Sequence, residues 1–487
     1  MRGTLTNKLI LFPVIILVLL LNGCMVGPKY SRPETTADVN DGFVYAGKHI
    51  EDVNDLTSVD RWWEQFGDPI TADLVREALE KNYDLQAAAA RVLQAQATLS
   101  EAAGRQWPDV SYSLNRSRSK MSFNFGGRFS VLNTTWSQDI SVAYVLDLFG
   151  KLKRAERAAW AQMLASQANE LALTNTTIAS VVNARINIAT IQGSLTIARS
   201  NTESLKRTLD IVERRYEQGL VGPVDLRLAR ENLAASKAAE PALEMSLIQA
   251  RNALDVLLAR RPGSSDELPD TLRGLPELKP LPIGIPASLL ARRPDVMAAE
   301  LSLRAANEQI GASIAQLFPD LNIVASYGAS ADRWRDIWEH FAETYGLTTS
   351  LAQPVFKGGQ IRAQIKGAKA LYAELAANYA QTVLVAIREV EDALITEQKL
   401  QEQFRHTQVR FTEAKAAEDL ARKRYEQGIE GILTVLESER RRRTAEDELA
   451  GLRGQIWTAR VNLHLAIGGN WYEKEQETVV VKEDAEK

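Results

Sequence analysis

The sequence predicts an α+β membrane protein, a tandem-repeat chain that supplies four transmembrane β-strands and very long coiled-coil α-helices. Three observations predict it: motifs that recur after 209 or 211 residues, short runs in which apolar and polar residues alternate, and two proline-free segments of 68 residues.

Composition sets the outer limits. With 487 residues, 45% hydrophobic and 25% charged, the chain is long enough for a large folded core and too balanced for disorder. A net charge of -4 supplies no basic face, so nucleic acid is not an expected partner.

Residues 1–23 form an export signal. Arg2 and Lys8 precede Leu9–Leu21, an apolar run of 13 residues that contains Pro13. A spanning helix needs ~20 apolar residues, so this run suits a signal core rather than a permanent span. It ends in Leu21-Asn22-Gly23-Cys24, and Cys24 is the only cysteine, which rules out a disulfide within the chain. A small residue followed by Cys at this place resembles a bacterial lipobox. That implies Cys24 as the lipid attachment, its sulfur in thioether linkage to diacylglycerol and its amine acylated. Two or more acyl chains make a stable anchor, since each buried methylene contributes about 0.8 kcal/mol. Met25 in place of an Asp is compatible with delivery to the outer membrane.

The remainder is one unit built twice. Arg215-Tyr216-Glu217-Gln218-Gly219 returns as Arg424-Tyr425-Glu426-Gln427-Gly428, Trp107-Pro108-Asp109 as Phe318-Pro319-Asp320, and Ala250-Arg251 with Leu254 as Ala459-Arg460 with Leu463. Each half runs in the order helix, two strands, very long helix, glycine turn, return helix. Val110, Tyr112 and Leu114 alternate with Ser111, Ser113 and Asn115, and Ile140, Val142, Tyr144 and Leu146 alternate with Asp139, Ser141 and Ala143. In the second half Leu321, Ile323, Ala325 and Tyr327 alternate with Asn322 and Ser326, while Leu347, Thr349 and Leu351 form a weaker fourth run. A period of two with one apolar face suits strands that have lipid on one side and water on the other.

The long segments Lys151–Gln218 and Gln360–Gln427 hold one glycine each, Gly193 and Gly367. At 1.5 Å per residue each makes a helix of roughly 100 Å. Ile361, Ile365, Ala368, Tyr372, Leu375 and Tyr379 step by four and three, which is a coiled-coil seam. Return helices are expected over Pro223–Arg260 and Ile432–Ile467. Stacked on the helices Asp84–Gln106 and Asp295–Leu317, they match the long ones in length. Gly219 and Gly428 sit where a helix ends on a left-handed residue.

Strand edges cannot remain open in hydrocarbon, where each unpaired backbone group costs several kcal/mol. Four strands do not close a barrel, and the eight of a dimer would be filled by their own side chains. Three chains give twelve strands and an open lumen, so the expected assembly is a homotrimer with a twelve-stranded barrel. Segments Arg118–Thr135 and Gly328–Thr344 are then outward loops. The chain divides into a signal (1–23), a lipid-anchored extended segment (24–70), a first repeat (71–261), a proline-rich strap (262–286) with six of the 16 prolines, a second repeat (287–470) and a charged tail (471–487).

No catalytic constellation competes with this. His49, His340, His406 and His464 are scattered without metal-ligand spacing, and neither a phosphate loop nor GxSxG is present. No enzyme, metal or cofactor is expected, apart from the lipid on Cys24.

Several strings carry a family resemblance: Val26-Gly27-Pro28-Lys29-Tyr30-Ser31-Arg32-Pro33, Trp62-Trp63-Glu64-Gln65-Phe66-Gly67-Asp68-Pro69, Arg292-Arg293-Pro294-Asp295-Val296, Pro354-Val355-Phe356-Lys357-Gly358-Gly359 and Ala466-Ile467-Gly468-Gly469-Asn470-Trp471. In this order the chain resembles the TolC-type outer-membrane factors, in their NodT-like lipoprotein branch. The resemblance implies a trimeric barrel in the outer membrane, a helical tunnel across the periplasm, and a passive exit duct. Its partners would be a periplasmic adaptor and an inner-membrane pump of the RND type. The resemblance also implies a periplasmic gate just past the two turns, carried by position onto Tyr425, Asp225, Leu433, Glu437 and Arg440. In it Tyr425 would bond Asp225, while Leu433 and the Glu437–Arg440 pair narrow the pore. Thr434 and Glu437 depart from the family pattern. Two alternatives stay open: a protein-secretion duct of the same architecture, and a lipid-tethered periplasmic coiled-coil protein. The cargo is not legible.

Overall fold

The computed structural model describes residues 25–33, 43–45, 61–124, 127–264, 268–269 and 293–469. The predicted export signal 1–23, the predicted attachment residue Cys24, His49, most of the strap and the tail 471–487 lie outside the described residues. Among those described, the elements are α1 (Pro69–Lys81), α2 (Tyr83–Gly104), β1 (Asp109–Asn124), β2 (Arg128–Leu146), α3 (Lys151–Glu217), α4 (Pro223–Leu257), α5 (Pro294–Ala315), β3 (Asp320–Ala331), β4 (Glu343–Ala352), α6 (Gln360–Glu426) and α7 (Ile432–Ala466). The repeat is visible in the lengths: α3 and α6 each have 67 residues, and α4 and α7 each have 35.

The chain forms two compact units. One draws on the described residues within 1–34, 90–167 and 298–381. It contains an all-antiparallel sheet in the order β1-β2-β3-β4, so β1 and β4 are its free edges. The sequence places loops at Arg118–Thr135 and Gly328–Thr344, and the sheet corrects both. The β1–β2 ladder runs out to Asn124 opposite Arg128, because a hairpin keeps its backbone pairs without needing an apolar face. Gly328 is still paired, with Thr344, and two 3₁₀ turns, Trp334–Trp338 and His340–Ala342, cross between β3 and β4. Buried Ile337 and Ala342 pin those turns on Ala329.

In the same unit residues 25–32 lie along the helices. Val26 N–H donates to Phe149 O at 3.3 Å. Gly27 approaches Gly311 so closely that a Cβ on it would stand 2.6 Å from the Gly311 Cα. Glu300 accepts from Tyr30 and from Arg32, and Arg304 lies over the Tyr30 ring at 5.1 Å. Burial and the Glu300 charge push the Tyr30 hydroxyl up to about 12. The predicted seam on α6 is the inward stripe: from 361 to 375 only Ile361, Ile365, Ala368, Tyr372 and Leu375 escape full exposure, and Tyr379 is buried.

The other unit draws on the described residues within 35–89, 168–297 and 382–487. The N-terminal segment is not extended throughout. A 3₁₀ turn, Trp62–Phe66, and α1 pack Trp62, Phe66, Leu74 and Val75 against Ile178, Val182, Leu254 and Trp457. This apolar burial, worth ~1.5–3 kcal/mol for each large side chain, fixes the turn. The described part of the strap is also held here, since Leu268 O accepts from Gln192 and Pro269 O from Arg185, both at 2.7 Å.

End-to-end stacking of the shorter helices is present, with different chemistry in each repeat. Asn82 caps α2, accepting from Asp84 N–H at 2.9 Å, and its amide donates to Leu257 O, the last carbonyl of α4, at 2.8 Å. In the second repeat Arg293 donates to Ala466 O at 2.8 Å and clasps Asp295 in the first turn of α5. Burial works against the Asp295 charge, but the Arg293 bonds hold its carboxyl below the usual carboxylate range.

His464 stacks on Trp62 at 4.9 Å and is 1% exposed, so it is a core residue. Burial, with the nearby Arg460 charge, lowers its pKa to about 3. In the pH window between 3 and the ordinary 6.5 the unfolded chain binds a proton that the folded chain refuses. Its contribution is therefore complete above 6.5 and is lost as pH falls toward 3. Thermal unfolding in detergent is expected to shift to lower temperature over that window, and His464→Gln is expected to flatten the slope.

Candidate functional site: a membrane wall and two helical tips

Paired residues share a face of a sheet, so the register decides where each strand points. Val110, Val142 and Ala325 lie in one row, and Tyr112, Ile140, Tyr327 and Tyr345 in another. Tyr144, Ile323, Leu146, Leu321, Leu347 and Leu351 fall on the same face. The opposite face carries Ser111, Ser141 and Ser326 in one row, and Ser113 bonded to Asp139 at 2.7 Å. All four predicted alternations therefore agree on one apolar face, and much of it is exposed: Tyr112 62%, Tyr327 58%, Leu347 75%. From Trp136 to Leu146 the apolar stretch of β2 has the ~9–11 residues that a tilted strand needs to cross a bilayer.

Beyond Leu114 that face changes character, with Arg116, Arg118, Lys120 and Arg128 following on β1 and β2. The change falls at aromatic residues. Arg116 lies over the Trp136 ring at 5.2 Å, Trp136 meets Trp334 at 5.2 Å, and Trp334 meets Trp338 at 5.9 Å. Such a girdle marks a membrane–water boundary. Among the described residues no helix is long and apolar enough to cross a membrane.

The second part of the site is the pair of turns that end α3 and α6. Gly219 and Gly428 have φ of +72° and +75°, where other residues are strained. The turns are copies: Leu220 N–H donates to Arg215 O and Ile429 N–H to Arg424 O, both at 2.9 Å. Exposed Leu433 follows the second turn, unpacked. Glu437 accepts from Arg440 Nε and Nη2 at 2.8 Å each and from Arg441 Nε at 2.7 Å, so the expected Glu437–Arg440 pair forms along one helix. These bonds, Arg440 foremost, lower the Glu437 pKa to about 2. Thr434 donates to Glu430 at 2.9 Å.

Tyr425 and Asp225 are not joined as expected. Tyr425 is 3% exposed and its hydroxyl has no hydrogen-bond partner among the described residues. Asp225 turns back to cap its own helix, accepting from Gly222 N–H at 3.3 Å. Arg215 takes the tyrosine instead, its guanidinium 4.5 Å from the ring centroid and bonded to the Tyr425 carbonyl. Burial pushes the Tyr425 hydroxyl up, with Arg215 opposing and the Asp225 charge adding to the rise. Sequence reasoning missed Arg215, although it opens the duplicated motif.

A buried ionic cluster was missed too. Arg422 bridges Glu418 at 3.0 Å and Glu439 at 2.9 Å, Arg442 pairs with Glu418 and donates to Asn201 at 2.7 Å, and Thr208 donates to Glu439 at 2.9 Å. It ties α3, α6 and α7 together behind the tips. The equivalent place in the first repeat holds Glu213 and Arg230, at 2.8 Å and with the signs exchanged. Among the described residues no group of three or more His, Cys, Asp or Glu could hold a metal.

Comparisons with known proteins fit this geometry. Residues 74–260 and 285–469 match the family described as outer membrane efflux protein. The pyoverdine export outer membrane protein OpmQ of Pseudomonas aeruginosa is 30% identical over 94% of this chain and 96% of its own. The toluene efflux pump outer membrane protein TtgF of Pseudomonas putida is 27% identical over 93% and 95%. The solved outer-membrane channel OprN superposes with a TM-score of 0.84 at 31% identity, covering 92% of this chain and all of that one. The fold is thus that of the TolC-type channels, with a barrel sheet in the outer membrane and helices forming a tunnel on the periplasmic side. The chain belongs to the outer membrane efflux protein family and is an outer-membrane channel component of an efflux system.

Proposed function

We propose that the chain works as a lipid-anchored homotrimer, the passive exit duct of a tripartite pump, with a gate at the helical tips. The observation that carries the trimer is the sheet, whose four strands share one lipid-suited face and leave β1 and β4 unpaired. Three copies supply twelve strands, which close a ring with an open lumen. Acylation at Cys24 is supported by the path of the next residues. Met25 packs on Gly150, between the end of β2 and the start of α3, a path that suits an anchor beside the sheet. Substrate reaches the tips from a periplasmic adaptor and an inner-membrane pump, in our reading of the RND type. OpmQ is named for pyoverdine and TtgF for toluene, and a duct of one fold serves both when selection resides in the pump.

The test is single-channel conductance in a planar bilayer. The wild-type current is expected to be small and flickering, and Glu437→Ala and Arg440→Ala together are expected to raise it several-fold. The acid's sign fixes the pH dependence: with a folded value of about 2 against an ordinary 4.5, the Glu437 contact is complete above 4.5 and is lost only as pH falls toward 2. Gating by this pair is therefore constant between about pH 5 and 8. No current from wild type or variant, with the protein folded and acylated, would instead favour a tethered structural protein.

A further inference from the structure

The duplicated motif makes one contact inside the chain and leaves the other half of itself unused. Arg215 of the first repeat lies on Tyr425 of the second, while their counterparts Arg424 and Tyr216 are exposed and, among the described residues, make no side-chain hydrogen bond, ion pair or ring contact. Tyr216 is 41% exposed, unusual for an aromatic ring whose twin is 3% exposed. The two tips are otherwise copies, with equal helices, equal left-handed glycines and equal terminating hydrogen bonds.

In a closed ring of tandem repeats there are only two kinds of neighbour. First repeat meets second within a chain, and second repeat meets first of the next chain. The sheet displays the same logic, since the β2–β3 pairing within the chain leaves β4 free to meet the next copy's β1. We propose that Arg424 of one chain stacks on Tyr216 of the neighbouring copy, repeating between chains the Arg215–Tyr425 contact seen within one. The partner is a second copy of this chain, and the inference rests on the trimer reading above. Arg424 supplies the planar cation and Tyr216 the ring face, a pair whose attraction grows as water is excluded from it. The helix tips are then ringed by six cation–ring contacts of one geometry, three covalently internal and three that exist only in the assembly. The motif is repeated in both halves because both halves meet the same kind of neighbour.

The experiment co-expresses two tagged full-length variants, Arg424→Cys and Tyr216→Cys, and treats membranes with a short bis-maleimide. A link between the tags can form only between chains, and wild-type chains under the same reagent control for Cys24. The expected result is a doubled-mass product carrying both tags, at least about tenfold more abundant than from Arg424→Cys paired with Lys206→Cys, which lies almost three turns along α3. A parallel cycle of Arg424→Ala, Tyr216→Ala and the double variant is expected to lower the dissociation temperature of the assembly non-additively, the double falling no further than the lower single. Absence of the product from assemblies that still run as trimers overturns the contact and leaves the channel reading standing. Chains that run as monomers or dimers overturn the trimer reading together with the contact.

Discussion

Ile140→Arg is expected to abolish insertion of the barrel, whereas Ser141→Arg, one residue along, is expected to leave it intact. Ile140 pairs with Tyr112 and Tyr327 on the apolar face, midway along the stretch of β2 that crosses the bilayer. Arginine at such depth costs ~2–4 kcal/mol per chain, and the proposed trimer would bear the cost in every copy. Ser141 pairs with Ser111 and Ser326 on the opposite face, and its hydroxyl meets that of Ser111 at 2.8 Å. There a guanidinium reaches water in the lumen. The measurement is the fraction of each protein in washed outer membranes. Equal loss from both variants would show that the face assignment is wrong.

Glu439→Leu is expected to destabilise the tip region by ~3–5 kcal/mol, the cost of breaking a buried ion pair by removing one partner. Glu439 is 1% exposed and accepts from Thr208 on α3 and Arg422 on α6. Its loss leaves Arg422 and Arg442 sharing Glu418 in a site with little water. The matching change in the first repeat, Arg230→Leu, breaks a pair whose side chains are 51% and 37% exposed. Such pairs contribute only ~0–1 kcal/mol, so that variant is expected to behave nearly as wild type. Hydrogen exchange along α3 and α6 near the tips distinguishes the two. Faster exchange in Glu439→Leu and none in Arg230→Leu is the expected contrast.

Much of the fold was legible because its signals are local and strong. The 68-residue proline-free segments became helices of 67, and the alternation at Val110–Leu114 and Ile140–Leu146 placed both strands on the correct face. What escaped the sequence was set by distant partners. The turn Trp62–Phe66 and α1 exist because Trp457 and Ile178 cover them, and no periodicity within so short a stretch announces that. Residues 118–124 and 128–135 carry charges and serines where a lipid-facing strand would be apolar, so they suggested a loop although the ladder continues. At the tips the glycines were readable from the pattern, and the Glu437–Arg440 pair from the family resemblance. The partner of Tyr425 was not, because Arg215 lies 210 positions away and Asp225 had a nearer use for its carboxylate.

The free edges of β1 and β4 also constrain how the protein comes to be in a membrane at all. A lone chain is stranded between solvents: its apolar face shuns water, and its unpaired edges shun hydrocarbon and invite pairing with whatever strand arrives first. On the proposed trimer neither step of biogenesis is finished by one molecule, and ring closure would be coupled to insertion. The acyl anchor proposed above would hold newly exported chains on one surface and confine the search to two dimensions. It would thereby shorten the interval in which an unpartnered edge can find the wrong neighbour.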